Sequence, residues 1–295
     1  MKYYAALLLL TSSPLPQARP TATGALPPAP PVAAGIANRY AWLPAGTYDA
    51  RRSVAARFAP PRGCRRVAVA PGSFGHWLRY LPLLPAGTAV HLYDGTRKER
   101  QDVHAAVVKL DVGRQDLQQC ADAVIRLRAE YLFAQDPALV HFHLTSGDDI
   151  RFADWYGGRG FRVRGSVVEP VSRPPQPPTH AVFRQYLDRI FTYAGTLSLA
   201  RELLPVLLTD VQPGDVLVYG GSPGHAVIVL DVAEHAATGR RYVLLAQSYM
   251  PAQQLHVLRN EGGDAALGAW FAVSPQEKRF HTPEWTFGSN ELMRF

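Results

Sequence analysis

The feature that most narrows the possible folds is a strand–turn–strand unit spanning residues 214–232. Residues 215–219 begin with Asp215 and continue as Val216, Leu217, Val218 and Tyr219. Gly220, Gly221, Ser222, Pro223 and Gly224 follow, five residues that favour turns for backbone reasons. Residues 225–232 are again apolar and rich in β-branched side chains, as strands are. Alternation puts His225, Val227, Val229 and Asp231 on one face and Ala226, Ile228 and Leu230 on the other. Both faces are mostly apolar, so this strand belongs in the interior of a sheet covered on both sides. A further strand over 242–249, after Gly239, extends the hairpin into a three-stranded antiparallel meander.

Upstream the pattern is helical. Over 116–134, Leu117, Cys120, Ala121, Val124, Leu127, Tyr131 and Leu132 recur at three- and four-residue steps, with Asp116 as the expected N-cap. Amphipathic helices are also predicted over 181–193 and 197–204. Strands are predicted over 66–70 and 140–144, and those over 90–93 and 105–110 are expected to pair as a long-looped hairpin. Helices followed by a meander define an α+β protein. Residues 36–295 read as a single globular domain, in which 140–208 is a long insertion between the first helix and the hairpin.

The first residues read as a leader. Lys2 precedes an apolar run over 3–10 that is too short to span a bilayer, so 1–18 is expected to be a signal peptide. Residues 19–35 form a Pro/Ala-rich linker. The expected location is therefore the periplasm or the extracellular space, with no transmembrane segment. The net charge is +7, but the arginines are scattered and only Lys2, Lys98, Lys109 and Lys278 are lysines. No basic cluster forms, which argues against a nucleic-acid partner.

Three residues combine into a possible catalytic constellation. Acyl transfer by cysteine needs a thiolate, an imidazole and a polar group to orient that imidazole. Cys120 lies near a predicted helix start, where free backbone amides favour a thiolate. His225 opens a strand directly after a glycine-rich turn, and Gln247 lies near the end of the next strand. Asp231 shares the histidine face but lies about 20 Å along the strand. Other roles stay open. Cys120 also falls on an apolar stripe, where a buried thiol fits, and a disulfide to Cys64 is the third possibility. Gln118 and Gln119 could donate to an oxyanion or simply be solvated. His141 and His143 share a strand face, the spacing of a metal pair, but no acidic or cysteine partner is evident and no cofactor is expected. Trp77, Trp155, Trp270 and Trp285 are core residues unless several line one cleft, which would suit a glycan.

The order of these parts resembles the NlpC-type and CHAP cysteine hydrolases of bacterial cell walls. The likeness is carried by Gln119-Cys120-Ala121-Asp122, Pro213-Gly214-Asp215-Val216 and Gly224-His225-Ala226-Val227, and it covers residues 116–249. Many NlpC-type enzymes have serine where this chain has Ala121. The resemblance implies a papain-like core in which a helix-borne cysteine packs on an antiparallel sheet, with N-terminal and mid-chain elaborations. It also implies Cys120 as nucleophile, His225 as base and Gln247 as orienter, acting on an amide bond in a peptide such as those of peptidoglycan. The whole mature chain is moreover similar to an uncharacterised family of exported bacterial proteins, through 72–74, 77–79, 117–122, 193–196, 247–253 and Thr282-Pro283-Glu284-Trp285. The expected function is a cell-envelope thiol hydrolase. The alternative is a non-catalytic envelope binding or assembly protein on the same fold, with Cys120 buried or bonded to Cys64.

Overall fold

The computed structural model describes residues 39–295 except Gly263 and Pro275. The expected leader (1–18) and linker (19–35) lie outside the described residues. The chain opens with α1 (Val54–Arg57), β1 (Cys64–Arg66), α2 (Phe74–Arg79) and β2 (His104–Val107). The central helix α3 (Cys120–Phe133) follows. A mid-chain block comprises β3 (His141–His143), β4 (Asp149–Arg151), α4 (Phe152–Tyr156), β5 (Arg159–Arg164), β6 (Val167–Ser172), α5 (His180–Tyr193) and α6 (Thr196–Glu202). The sheet-forming remainder is β7 (Leu204–Pro205), β8 (Val216–Tyr219), β9 (His225–His235), β10 (Arg241–Gln247), β11 (His256–Leu258), β12 (Trp270–Ala272), β13 (Arg279–His281), β14 (Thr286–Gly288) and β15 (Leu292–Arg294). Mixed helix and antiparallel sheet make the α+β class plain.

Nine strands form one antiparallel sheet ordered β2-β11-β10-β9-β8-β15-β7, with β1 added to β9 and β12 to β10. The expected meander is its centre: Leu217 pairs with Val227 and Val243 with Val232. The expected pairing of 90–93 with 105–110 does not occur. β2 instead pairs with β11, and His91 and Leu92 make only isolated bridges to Arg97 and Gln253. Lys98 and Gln101 on the connecting loop explain the departure, because Lys98 N bonds Val90 O and Gln101 caps both polar groups of Val90.

Helices α2 and α3 pack on β9 and α6 packs on β8. Trp77, Leu78, Val124 and Leu127 share the larger core with Ala226, Ile228 and Leu230, and Phe183 and Leu187 of α5 extend it. The other face is smaller. There Val227, Val229, Val232, Val243 and Leu245 meet Phe280 and Phe287 of the β13–β14 hairpin. The fully buried, two-faced strand expected from the 225–232 run is therefore present.

Its alternation breaks once. Asp231 stands opposite Leu244, but Val229 stands opposite Leu245, so Leu230 is an extra residue in β9. Such a bulge flips the phase of everything beyond it. Asp231 consequently leaves the His225 face, which corrects the parity expectation. It is fully buried and paired with Arg79 on α2 (2.7 Å) and Arg66 on β1 (2.6 Å).

Two helix starts follow from local chemistry. Thr179 Oγ1 accepts from Val182 N at the start of α5, after a proline run that cannot itself be helical. Ser73 Oγ does the same for α2 through His76 N. For α3 the expected Asp116 cap is wrong. The helix begins at Cys120, with Gln119 N donating to Asp122 Oδ2. Asp116 is engaged elsewhere, accepting from Ala252 N and Gln119 Nε2.

Candidate functional site

The site lies where β9 and β10 part. Their ladder ends at Ile228–Ala246, short of His225 and Gln247. The segment before α3 meets these strand ends: Ser248 Oγ donates to Gln118 O at 3.1 Å, and the Ala226 amide is near enough to favour the Cys120 thiolate. Cys120 is thus the first residue of its helix, set beside the residue that follows His225.

His225 and Gln247 are joined directly. Nε2 of the imidazole donates to Gln247 Oε1 at 2.8 Å. Both side chains are buried and both point to the face covered by the C-terminal hairpin. The ring lies among Tyr249 (5.0 Å), Trp285 (5.3 Å) and Phe287 (5.9 Å). This enclosure lowers the His225 pKa from 6.5 to about 4, against the opposing effect of the Gln247 bond and with a small contribution from Lys98. His225 is therefore neutral at pH 7, with Nδ1 lacking a hydrogen-bond partner among the described residues.

The turn that aims His225 needs Gly224. A Cβ there would run into Thr196 Oγ1 and lie 2.6 Å from Gly221 O. α6 thus grips the turn, and Thr196 Oγ1 also donates to Gly221 O. Asp215, at the other end of the hairpin, closes its own turn by accepting from Gln212 N and is held bidentately by Arg294.

Cys120 departs from the expectation of a thiolate. Burial pushes its pKa up, and Asp122 adds to this, while the amides of Ala121, Ala226 and Cys120 itself oppose it. No hydrogen bond joins its sulfur to His225 among the described residues. The expected alternative of a disulfide is contradicted, because both cysteines are free. Cys64 pairs with His235, at the far end of β9 from His225 and so roughly 33 Å along it. Asp122 is itself raised well above the carboxylate range by burial, and its Oδ1 has no partner.

The other expectations resolve as follows. The Gln118 side chain is consumed by Arg126 and Asp111 O, and that of Gln119 by Asp116, so neither is free to meet an oxyanion. His141 pairs with Asp149 and His143 lies beside Glu202, and no cluster among the described residues could hold a metal. Trp77, Trp155 and Trp270 are buried in the core, so only Trp285 of the four named tryptophans reaches the cleft. That cleft, about 620 Å³ and open to solvent, is lined by Arg100, Tyr249, Pro283, Glu284 and Trp285.

Sequence reasoning missed the residues behind Gln247. Its Nε2 donates to Glu284 Oε2 at 2.6 Å, and Glu284 Oε1 accepts from Lys98 at 2.7 Å. The string 282–285 carried a signal, as did Lys98 being one of only four lysines, but nothing local linked either to a histidine 57 or more residues away in the chain.

Fold and site together define an α+β protein with a His–Gln pair at a sheet end and a helix-borne cysteine beside it. The chain belongs to the family described as domain of unknown function 4846 (DUF4846), whose model matches residues 54–294. Neither the curated proteins nor the solved structures contain a match.

Proposed function

We propose that this protein is a thiol hydrolase with a papain-like core, acting on an amide bond in the cell envelope, with peptidoglycan peptides as its substrate class. The observation that carries the reading is the 2.8 Å bond from His225 to Gln247 at the strand ends that receive Cys120. That bond leaves Nδ1 as the imidazole's basic atom. Cys120 Sγ would attack the amide carbonyl, forming the C–S bond as its proton passes to His225 Nδ1. His225 would then protonate the leaving amine as the C–N bond breaks, and water would hydrolyse the thioester with His225 again as base. Because the imidazole is neutral and the thiol protonated at rest, attack requires general-base assistance and not a preformed ion pair. Incubation of the protein with muropeptides, followed by mass spectrometry, should reveal a new amine and carboxylate pair. Cys120→Ala should abolish the cleavage, and undiminished turnover in that variant would overturn the mechanism.

A second reading is supported by the burial of Cys120 and its lack of a hydrogen bond to His225. The same scaffold would then be a non-catalytic envelope binding or assembly protein, using the cleft beside Trp285 for a peptide or glycan. Native Cys120 that resists alkylation at every pH short of unfolding favours this reading over the first.

A further inference from the structure

Gln247 is 1% exposed and has a different neighbour at each end of its amide. Oε1 faces His225 and Nε2 faces Glu284. A primary amide has one donor end and one acceptor end, whereas a carboxylate can only accept. With an ionised Glu284 behind it, Gln247 must therefore turn its NH2 backwards and its carbonyl towards the ring. The carbonyl can only accept, so the ring must carry its proton on Nε2. Reversing the amide would set Oε1 against the carboxylate and bury two acceptors against each other.

The arrangement depends on Glu284 staying charged. Its side chain is 9% exposed, so its charge calls for a cation beside it. A neutral amide in its place could donate as well as accept, and either orientation of Gln247 would be allowed. Lys98, whose side chain is 8% exposed, supplies that cation at 2.7 Å. Its ammonium also lies 5.3 Å from the centre of the Tyr249 ring, the same ring that packs on His225. The pair is anchored from two remote segments. Lys98 N bonds Val90 O, and Glu284 sits in the hairpin tip closed by Thr282 N to Trp285 O.

We propose that the Lys98–Glu284 ion pair is a positioning device that sets the tautomer of His225 through Gln247, keeping the imidazole lone pair on Nδ1. Its use in catalysis rests on the reading of His225 as the base for Cys120; the tautomer itself does not.

Two measurements on the full chain test this separately. In the first, histidine is labelled with 15N, and His225 is identified in long-range 1H–15N spectra by the resonance lost in His225→Asn. The wild type should show the Nε2–H form in at least about tenfold excess, the weight of a hydrogen bond to a charged group. In Glu284→Gln either end of the new amide can face Gln247, and the excess should fall to about threefold or less. Lys98→Arg keeps the charge and should retain the wild-type tautomer. An Nδ1–H form in the wild type would overturn the proposal. So would a Glu284→Gln variant with native circular dichroism that keeps the tenfold excess. If Glu284→Gln does not fold, Glu284→Ala, which removes the acceptor behind Gln247, decides by the same criterion.

In the second, the iodoacetamide rate at Cys120 is followed against pH in a Cys64→Ser background. Under the hydrolase reading, His225→Ala and Glu284→Gln each slow it about tenfold near neutral pH, and Lys98→Arg does not. A rate indifferent to His225→Ala overturns the hydrolase reading and leaves the tautomer to be judged on the spectra. A rate that falls with His225→Ala but not with Glu284→Gln overturns the positioning role alone.

Discussion

At Cys120 two influences oppose each other. A helix start offers free amides to a thiolate, and burial withdraws the water that would stabilise it. Burial is the larger effect, so the thiol sits above its ordinary 9.0. At pH 7 the thiol is then mostly protonated, and in His225→Ala, where no imidazole assists, alkylation should be slow and rise with pH up to and beyond 9. A rate that is flat between pH 6 and 9 would contradict this. His225 and His256 illustrate the same physics with opposite charge. Burial is the main cause in both, holding them near 4 and 3 respectively, so each is neutral when folded and titrates near 6.5 when unfolded. The unfolded chain therefore binds more protons at mildly acidic pH. The stabilisation is fully present above about pH 6.5 and is lost as pH falls, down to about 4 for His225 and about 3 for His256. For His225 alone this is on the order of 3 kcal/mol. Urea midpoints should drop between pH 6.5 and 4, and His225→Gln should flatten that part of the profile. A residue-level reading of the sequence could locate Cys120, His225 and Gln247, because each stands out in type or position. It could not weigh burial against the helix, since that balance depends on segments far away in the chain.

Elements were legible where periodicity was strong and unreadable where pairing was non-local. The 225–232 run, the helix around Cys120 and the helix over 181–193 all exist with shifted ends. The Asp116 cap failed because Asp116 has a better use at Ala252 N, a residue 136 positions away. The 90–93 strand failed because side-chain and backbone bonds from Lys98 and Gln101 hold it as a loop. The β9 bulge also escaped the sequence, because an apolar leucine fits either face. Asp231 shows what the bulge achieves. It is fully buried with two arginine partners, and removing the anion strands both cations. Asp231→Ala should cost about 3–5 kcal/mol in denaturant unfolding. A loss under 1 kcal/mol would mean that the arginines find water. Gly224→Ala tests the turn, since its methyl group must displace either Thr196 or the Gly221 carbonyl. The variant should be less stable and should weaken the 2.8 Å bond of His225 to Gln247, visible as a shifted imidazole resonance.

In the whole molecule, one sheet gathers strands from both ends of the described chain but none of β3–β6. β1 and β2 come from its beginning, and β15 inserts between β7 and β8. Arg294 on β15 grips Asp215 through two bonds of 2.6 and 2.8 Å, so the last strand and the central hairpin depend on each other. Arg294→Ala should lower stability by about 1–3 kcal/mol, read as a lower Tm, with Asp215→Asn giving a similar loss. Among the described residues no helix is long and apolar enough to cross a membrane. The α+β class was accessible from the order of helices and strands, whereas the C-terminal hairpin that roofs His225 and Gln247 was not, because its strands are three residues each. The extra residue at Leu230 has a consequence for how such chains can diverge. It works as a phase switch: upstream of it the strand is in step with the hairpin roof, and downstream it is in step with the arginines of α2 and β1. Inserting or deleting a single residue between His225 and Asp231 would turn either the imidazole or the anion to the wrong side. Relatives that keep both features should therefore differ in this interval by substitution and never by length.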